Sequence, residues 1–463
     1  MTSPTTTASQ PFAAAAHAAV PDIQGVEEAT YRKIAWRILP LLFVCYIINY
    51  IDRANIGIAQ IQFKADLHFS DLVYGIGAGL FFVGFLLFEV PSNLMLARMG
   101  ARKTLLRIMT LWGAVSCAMM FVRTPMEFYV ARMLLGAAEA GFFPGLILYL
   151  SYWFPAERRA RVTALSFVAI PIATMIGAPT SGWIMRQFHE VHGLAGWQWM
   201  FLLEGLPAIA LGIVVFFSLE DRPESAKWLT ADEKARLTQA LSVERAQKAG
   251  KAAHGHGKGG TLAALGDWRV YVAGLVSFCA YVLASTIAFF APVVIQATGV
   301  RDTFHVGLLS ALPPVVGIVA MLIVSRHSDR HRERRWHAAL PLMCAAISLM
   351  VMPYMSHNLV LAVLLLAIAT AGHLSSLSVF WTIPSTYLAP ASAAAGIAVV
   401  SSIGALGGLV GPSVIGYIKS VTGNLALGLQ VAGCIVLFGG FLLLIGIPAR
   451  LLPKTGAGGA GRA

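Results

Sequence analysis

The stretch Tyr50-Ile51-Asp52-Arg53-Ala54-Asn55 places an acid and a base inside an apolar run that begins at Ile34 and continues as Ile56-Gly57-Ile58-Ala59. A charge at the centre of a bilayer costs about 3 kcal/mol on insertion scales. Such a residue faces a wet or paired interior, where it marks an ion or substrate path or locks two helices together. Because neighbouring helix residues point about 100° apart, Asp52 and Arg53 each need partners on other helices.

The composition indicates a membrane protein. Hydrophobic residues make up 57% of the chain and charged residues 12%, and the mean hydropathy is +0.72. Apolar stretches of about 20 residues recur along the chain, as in membrane-spanning helices and unlike the alternating strands of a β-barrel. The net charge of +12 could indicate nucleic-acid binding. The cations cluster in short loops, however, so we predict no nucleic-acid partner. The five cysteines lack metal-ligand spacing, so we predict packing roles and no metal site.

Twelve apolar stretches fall into two sets of six. We therefore predict an all-α polytopic membrane protein with twelve transmembrane helices in two pseudo-repeated six-helix bundles, residues 31–218 and 268–450. A polar linker over 219–267 separates the bundles. We expect a disordered cytoplasmic tail over residues 1–30, without a signal peptide, and a second cytoplasmic tail over 451–463.

An internal repeat supports the division into halves. Arg98-Met99-Gly100-Ala101-Arg102-Lys103 follows the second stretch, and Arg330-His331-Arg332-Glu333-Arg334-Arg335 follows the eighth, with three basic residues in register. We number each loop after the apolar stretch that precedes it. Lys and Arg concentrate in the even-numbered loops and in the segment before the first stretch. By the positive-inside rule, both termini and the even-numbered loops are predicted to be cytoplasmic.

The fourth stretch carries a second acid and a second base. Arg132 and Glu139 are seven residues apart, which puts them on one helix face, roughly 10 Å apart along the axis. With Asp52 and Arg53 they could form a structural salt-bridge cluster. Alternatively, the guanidiniums could bind an anion while a carboxylate takes a proton, because Arg is a bidentate carboxylate ligand and burial disfavours a charged carboxyl. We expect all four side chains to share one water-reachable chamber.

Other polar residues lie in apolar stretches. Glu89, Glu204 and His373 are interpreted as structural groups. The tenth stretch, 358–386, is interrupted by a proline, which neighbouring helices can accommodate. Beside that proline, a hydroxyl and an indole are predicted to form the second-half wall of a central cavity: Ser378 and Trp381.

These residues resemble the major facilitator superfamily and, more narrowly, its anion:cation symporter family, which includes tartrate, phthalate, hexuronate and galactonate transporters and the vesicular glutamate transporters. The resemblance covers about residues 31–450. Its marks are Tyr50-Ile51-Asp52-Arg53-Ala54-Asn55, Glu89-Val90-Pro91-Ser92-Asn93, Arg132 to Glu139 with Gly141-Phe142-Phe143-Pro144, Trp153-Phe154-Pro155, Asp221-Arg222-Pro223-Glu224 with Lys227-Trp228-Leu229, and Arg326-His327-Ser328-Asp329.

The resemblance implies a proton-coupled symporter that imports an organic anion by alternating access, with no cofactor and no enzymatic activity. It implies that Asp52 and Glu139 are the protonatable pair. Substrate-binding residues would be Arg53, Arg132, Tyr50, Ser378 and Trp381, and the cytoplasmic gating loops would contain Arg98, Arg102, Asp329 and Arg330. Such a carrier spans the bacterial inner membrane many times, and a monomer suffices for a site between two halves.

Departures from the family pattern narrow the substrate. Ala97 stands where the loop signature usually has Asp, Phe85 stands where sugar-acid members have Tyr, and small residues near Ser401 and Ala405 replace an Asn. The last two changes remove groups that bind hydroxyls. A small dicarboxylate such as tartrate, or an aromatic carboxylate such as phthalate or hydroxyphenylacetate, is therefore favoured over a sugar acid of the galactonate or hexuronate type. Two further hypotheses stay open on the sequence: a drug/H⁺ antiporter of the same fold, and a membrane receptor or enzyme.

Overall fold

The computed structural model describes residues 28–255, 265–355, 357–388 and 390–447. Within them, twelve helical segments are long and apolar enough to cross a membrane, which confirms the predicted all-helical, twelve-span architecture. Most of the two predicted tails and part of the linker lie outside the described residues. We number the segments spans one to twelve: Glu28–Asp66, Asp71–Leu96, Ala101–Phe121, Pro125–Leu150, Val168–Gln187, Gly196–Ser218, Trp268–Ala297, Thr303–His331, Arg335–Met355, Leu359–Phe380, Ala395–Thr422 and Leu425–Gly446.

Three spans are divided into two helices each. In span four the first helix ends at Glu139, and Gly141 follows with a φ of +86°, a left-handed conformation that glycine adopts without steric cost. The chain then turns into a second helix toward the end of the span. The paired helices are Glu28–Ala54 and Ile56–Asp66 in span one, Pro125–Glu139 and Phe142–Leu150 in span four, and Thr303–Ser310 and Leu312–His331 in span eight.

The remaining spans are single helices, and the tenth is shorter than predicted. It ends at Phe380, because a turn follows and Pro384 opens the separate short helix Pro384–Tyr387. Proline has no backbone N–H and restricts the residue before it, so it favours the start of a helix over its interior. The other helices are Asp71–Met99, Ala101–Ala118, Ala156–Gln187, Gly196–Ser218, Trp268–Ala297, Arg335–Val351, Leu359–Phe380, Pro390–Thr422 and Leu425–Gly446.

The polar connection contains a helix, Ala231–Gly255, that packs on the first half. Thr230 precedes it and accepts a hydrogen bond from the backbone of Glu233, whose carboxylate binds Lys33 Nζ at 3.0 Å. Upstream, the Trp228 ring stacks on Trp153 with centroids 5.6 Å apart. The start of the linker is therefore part of the packed structure.

The two halves meet closely at one end, which we call the closed end. There, spans two and eleven cross so tightly that a Cβ at Gly75 would meet Pro412 O and one at Gly416 would meet Asp71 O. Spans five and eight cross at the same end, where Thr303 donates to Gly182 O at 3.0 Å. Toward the opposite end the halves separate around a central cavity.

Candidate functional site

The cavity has a volume of about 1000 Å³ and lies between the halves. It runs from mid-membrane toward the open end, the end opposite the closed one, where its wall includes Ser151 and Arg159. Spans one, two, four, five, seven, eight, ten and eleven form the wall, and spans three, six, nine and twelve stand behind them. Such a chamber between two six-helix halves suits a small ligand.

An ion pair lies on this wall. Arg53 Nη2 is 2.8 Å from Glu139 Oε2, and Asn49 Nδ2 donates to the same oxygen at 3.0 Å. The first helix of span four ends at Glu139, two residues before Gly141, so this carboxylate ends a half-helix at membrane depth. All three residues line the cavity. The wall can thus present a cation to an anionic ligand and a carboxylate to a proton.

Aromatic rings enclose the Arg53 guanidinium. Its central carbon lies 5.0 Å from the Tyr50 ring centroid, 5.0 Å from that of Phe81 and 5.3 Å from that of Phe85. The ring faces stabilise a cation without neutralising it, so the guanidinium keeps its capacity to bind a carboxylate. Tyr50 and Phe85 also line the cavity.

Asp52 lies behind the wall and does not line the cavity. Its side chain points to span three, where Trp112 Nε1 donates to Oδ2 at 2.7 Å and Ser116 Oγ donates to Oδ1 at 2.7 Å. The residue is only 1% exposed. The predicted chamber shared by all four charged residues is therefore divided in this conformation.

Arg132 also lies behind the wall. It is 0% exposed, and none of its guanidinium nitrogens has a hydrogen-bond partner among the described residues. Its central carbon is 5.1 Å from the Phe81 ring centroid, so this ring stands against both Arg132 and Arg53. A buried guanidinium without a hydrogen-bond partner is energetically costly. Its presence is consistent with a group that binds a ligand in another conformation.

The two second-half residues of the predicted wall lie in different places. Trp381 lines the cavity, together with Tyr281 and His373. Ser378 differs from the prediction, because its hydroxyl lies 2.8 Å from the Ser325 hydroxyl and connects spans ten and eight, away from the cavity wall.

The loop residues predicted to gate the cytoplasmic side contact their own halves. The Arg102 backbone N–H donates to Asp221 at 2.9 Å, and its side chain reaches Phe216 O. Asp329 accepts from Arg334 at 3.2 Å within its own loop, while Arg98 and Arg330 are exposed. These contacts do not join the two halves at the open end.

Sequence reasoning missed several partners of the charged residues. Asn49 is four residues before Arg53 on the same helix face, and this spacing could have revealed it. Trp112 and Ser116 are also four residues apart, but nothing in the sequence links span three to Asp52. The polar network around Glu204 was likewise missed, although a lone acid in an apolar span is itself a signal.

The fold and the site define a membrane transporter, because an ion pair at membrane depth lines a cavity between two six-helix halves. The chain belongs to the Major Facilitator Superfamily, whose family model matches residues 42–412. It is therefore a multi-pass membrane transporter and not an enzyme.

Relatives match almost the whole chain. It is 44% identical to NicT, named as a candidate metabolite transport protein of Pseudomonas putida, over 94% of this chain and 98% of the relative. It is 46% identical to a protein of Agrobacterium vitis named as a candidate tartrate transporter, over 93% of each. A quinolone resistance transporter of Acinetobacter baumannii is 37% identical, over 90% of this chain and 95% of the relative.

Solved structures share the fold at low identity. A bacterial homolog of the human lysosomal transporter Spinster, in an inward-facing and occupied conformation, has a TM-score of 0.71 and 14% identity, covering 89% of this chain and 96% of that one. A D-xylose-proton symporter has a TM-score of 0.70 and 15% identity, covering 89% and 98%. These likenesses show the fold alone.

Proposed function

We propose that the protein is a proton-coupled symporter that imports a small organic anion by alternating access. The observation that carries the proposal is the Arg53–Glu139 pair on the cavity wall, 2.8 Å apart. The names of the relatives, tartrate and metabolite transporters, support a carboxylate substrate.

The ion pair provides a direct means of coupling. Arg53 can pair with the Glu139 carboxylate or with the carboxylate of a substrate. When Glu139 takes a proton, its attraction for Arg53 falls and the guanidinium becomes free for the anion. By linkage, a bound anion raises the affinity of Glu139 for a proton by the same factor. Proton and anion therefore bind together and cross together.

Asp52 and Arg132 remain in the proposal as partners that act behind the wall. Asp52 is the second protonatable carboxyl, and it accepts hydrogen bonds from span three. Arg132 is the second substrate-binding cation, and in this conformation the Phe81 ring contacts both its guanidinium and that of Arg53. A shift of that ring during alternating access would present both guanidiniums to a dicarboxylate.

Within its described residues, span two contributes no hydroxyl to the cavity wall. Phe85 and Phe82 face the site from span two without a hydroxyl, while Tyr281 and Trp381 offer polar groups from the second half. A small dicarboxylate such as tartrate or an aromatic carboxylate such as phthalate or hydroxyphenylacetate is the proposed class. A sugar acid would find no hydroxyl group on the described, cavity-lining part of span two.

We infer that the carrier lies in the bacterial inner membrane as a monomer, with both termini in the cytoplasm. The basic loops after spans two and eight support this orientation. With it, the open end faces the cytoplasm and the conformation is inward-open. Arg98, Arg102, Asp329 and Arg330 would then close that face in the opposite state.

The proposal is tested in two steps on the purified, full-length protein. A thermal-shift screen against tartrate, phthalate, hydroxyphenylacetate and galactonate selects the ligand, because a bound ligand stabilises the fold in proportion to its saturation. Uptake of that radiolabelled acid into proteoliposomes is then measured with and without an inward proton gradient. Accumulation above equilibrium should require the gradient and should be lost in Asp52→Asn and Arg132→Ala. Equal uptake without a gradient would overturn the symport.

A drug/proton antiporter is the second candidate, because one relative is named a quinolone resistance transporter. Expression of this chain in a drug-sensitive host would then raise resistance to quinolones. Proteoliposomes loaded with quinolone would release it in exchange for protons that enter down an inward gradient. The symport proposal expects neither result. The cationic guanidinium of Arg53 on the cavity wall favours the anion carrier.

A further inference from the structure

A buried carboxyl in span six has no role in the coupling described so far. Glu204 is 6% exposed and is held by two polar residues of other spans. Asn55 Nδ2 donates to Oε2 at 3.0 Å, and Ser181 Oγ lies 2.6 Å from Oε1. Both Asn55 and Ser181 line the cavity, so Glu204 lies one residue behind the wall.

The Ser181 hydroxyl reveals which form of Glu204 fits the site. Besides Glu204 Oε1 at 2.6 Å, its oxygen lies 2.8 Å from Gly177 O. A hydroxyl has one proton to donate and two lone pairs with which to accept. The Gly177 carbonyl can only accept, so both contacts are hydrogen bonds at the same time only when Glu204 carries a proton on Oε1.

The side-chain amide of Asn55 connects Glu204 to Asp52, the acid of span one. Asn55 Nδ2 also lies 3.4 Å from Asp52 Oδ1, so one amide group donates to two carboxyls. No Lys, Arg or His of the described residues is an ion-pair partner of either carboxyl. Two ionised carboxylates on one buried amide repel each other, which favours one shared proton between them.

The other groups around this pair come from spans three and four. From span three, Trp112, Ser116 and the Cys117 thiol face the two acids, with Cys117 Sγ 3.6 Å from Leu202 O. From span four, the Glu139 carboxyl repels an ionised Asp52 and the Arg132 guanidinium attracts it, without an ion-pair contact. Asn55 Oδ1 is a buried acceptor with no partner among the described residues, and the O–H of a carboxylic acid could bind to it.

We propose that Glu204 is a third proton-binding carboxyl of the carrier, which exchanges protons with the cavity through Ser181 and is linked to Asp52 through Asn55. This rests on the proposed proton-coupled transport. In the exchange, a hydronium ion in the cavity gives a proton to Ser181 Oγ and becomes water, while the hydroxyl passes its own proton to Glu204 Oε1. One O–H bond breaks and one forms on Ser181, and Glu204 changes from anion to neutral acid.

Glu204→Gln mimics the protonated form and tests the proposal in transport. The amide can still donate to Ser181 and accept from Asn55, so exchange of internal for external radiolabelled tartrate at equal pH should stay within about twofold, well under 1 kcal/mol. Accumulation driven by an inward proton gradient should fall by roughly tenfold for each pH unit of gradient if the proton carried by Glu204 is lost. The control is Glu190→Gln, an exposed carboxyl outside the cavity. Unchanged gradient-driven accumulation in Glu204→Gln, with active wild type, would overturn the proposal and leave the symport intact.

An infrared measurement does not depend on transport. The pH-difference spectrum of the purified wild type should contain the carbonyl stretches of buried protonated carboxylic acids. Glu204→Gln should lose one of these bands, because Asp52 and Glu139 are unchanged, while Glu190→Gln should retain them all. A spectrum of Glu204→Gln that retains every wild-type band would overturn the proposal. Wild type without gradient-driven uptake but with the Glu204 band would instead contradict the proposed symport.

Ser181 supplies the test of the route. Ser181→Ala removes the hydroxyl between the cavity and Glu204, and Ser181→Thr keeps it. We expect the alanine variant to exchange the Glu204 proton for deuterium more slowly by roughly a hundredfold, the lower end of what a positioned proton-transfer group contributes. The threonine variant should restore the rate. Equal exchange rates in wild type and Ser181→Ala would exclude Ser181 as the route.

Discussion

The two walls of the cavity differ in charge. The first half contributes Arg53, Glu89, Glu139 and Arg159 to the wall. Among the described residues, the second half contributes no Asp, Glu, Lys or Arg, and its polar lining consists of hydroxyls, the His373 imidazole and the Trp381 indole. One half therefore holds the charges and the other offers a neutral surface.

This asymmetry suits a protein whose halves move against each other. A buried acid and base attract strongly in a low dielectric, and separating them would cost several kcal/mol. Because Arg53 and Glu139 belong to one half, their pair need not break when the halves rock. The neutral half can then contact the substrate and select its shape, without competing for the proton.

Removal of the cavity cation should have the largest effect. Arg53→Ala leaves Glu139 without its ion partner and the substrate without its cation. We expect substrate affinity to fall by more than about a hundredfold, since loss of one partner of a buried pair costs roughly 3 kcal/mol or more. Isothermal titration with the acid selected by thermal shift measures this. Arg301→Ala, an exposed loop residue, is the control. Binding within threefold of wild type would remove Arg53 from the site.

The next largest effect concerns pH. In the wild type, anion affinity should rise as the pH falls through the titration of Glu139, by up to roughly tenfold per pH unit, because the neutral carboxyl releases Arg53. Glu139→Gln is neutral at every pH, and it should bind the anion with high affinity and little pH dependence. Titration calorimetry across a pH series measures both. A pH dependence that survives in Glu139→Gln would assign the coupling proton elsewhere, with Asp52 and Glu204 as the remaining buried acids.

The first-half charges could be predicted from the sequence in identity but not in arrangement. Asp52, Arg53, Arg132 and Glu139 stand out because charge is rare in apolar spans. Arg53 and Glu139 face the cavity, whereas Asp52 and Arg132 are buried behind its wall. This difference depends on how spans three and four rotate against span one, which helical periodicity within one span does not determine. The Asp52 contacts with Trp112 and Ser116 are long-range, so no local pattern announces them.

The fold itself is easier to predict than the second-half wall. Twelve apolar stretches and basic loops identify the spans, because hydropathy and length are local properties. The prediction that Ser378 lines the cavity rests on its nearness to Trp381 and Pro384. The helix ends at Phe380, however, so helical spacing does not relate the directions of the Ser378 and Trp381 side chains. Ser378 points to Ser325 instead.

A smaller effect should follow from a change in the neutral half. Trp381→Phe removes an indole N–H from the cavity wall and keeps an aromatic ring. We expect about a fivefold loss of affinity for the anion, corresponding to one hydrogen bond of about 1 kcal/mol. The pH dependence of binding should not change, because no titratable group is altered. Trp336→Phe, an exposed indole, serves as the control. An altered pH dependence in Trp381→Phe would mean that the second half takes part in coupling.

The smallest effect should occur at the closed end, where an ion pair joins the two halves. At the closed end, Asp71 accepts from Lys419 of span eleven at 3.0 Å and also from Lys64 of span one. These side chains are partly exposed, so the contact is worth at most about 1 kcal/mol. Asp71→Asn leaves two lysines facing each other without the anion between them, which favours separation of spans two and eleven. We introduce Ser413→Cys at the crossing of these spans. In the Asp71→Asn background, this cysteine should react with an impermeant maleimide roughly two- to fivefold faster. Asp267→Asn breaks a pair with Arg269 inside the second half and should leave the rate unchanged. If the maleimide reaction rate is the same in both variants, the closed end is held together by its packed glycines and the ion pair between the halves contributes nothing measurable. The functional charges would then all belong to the first half.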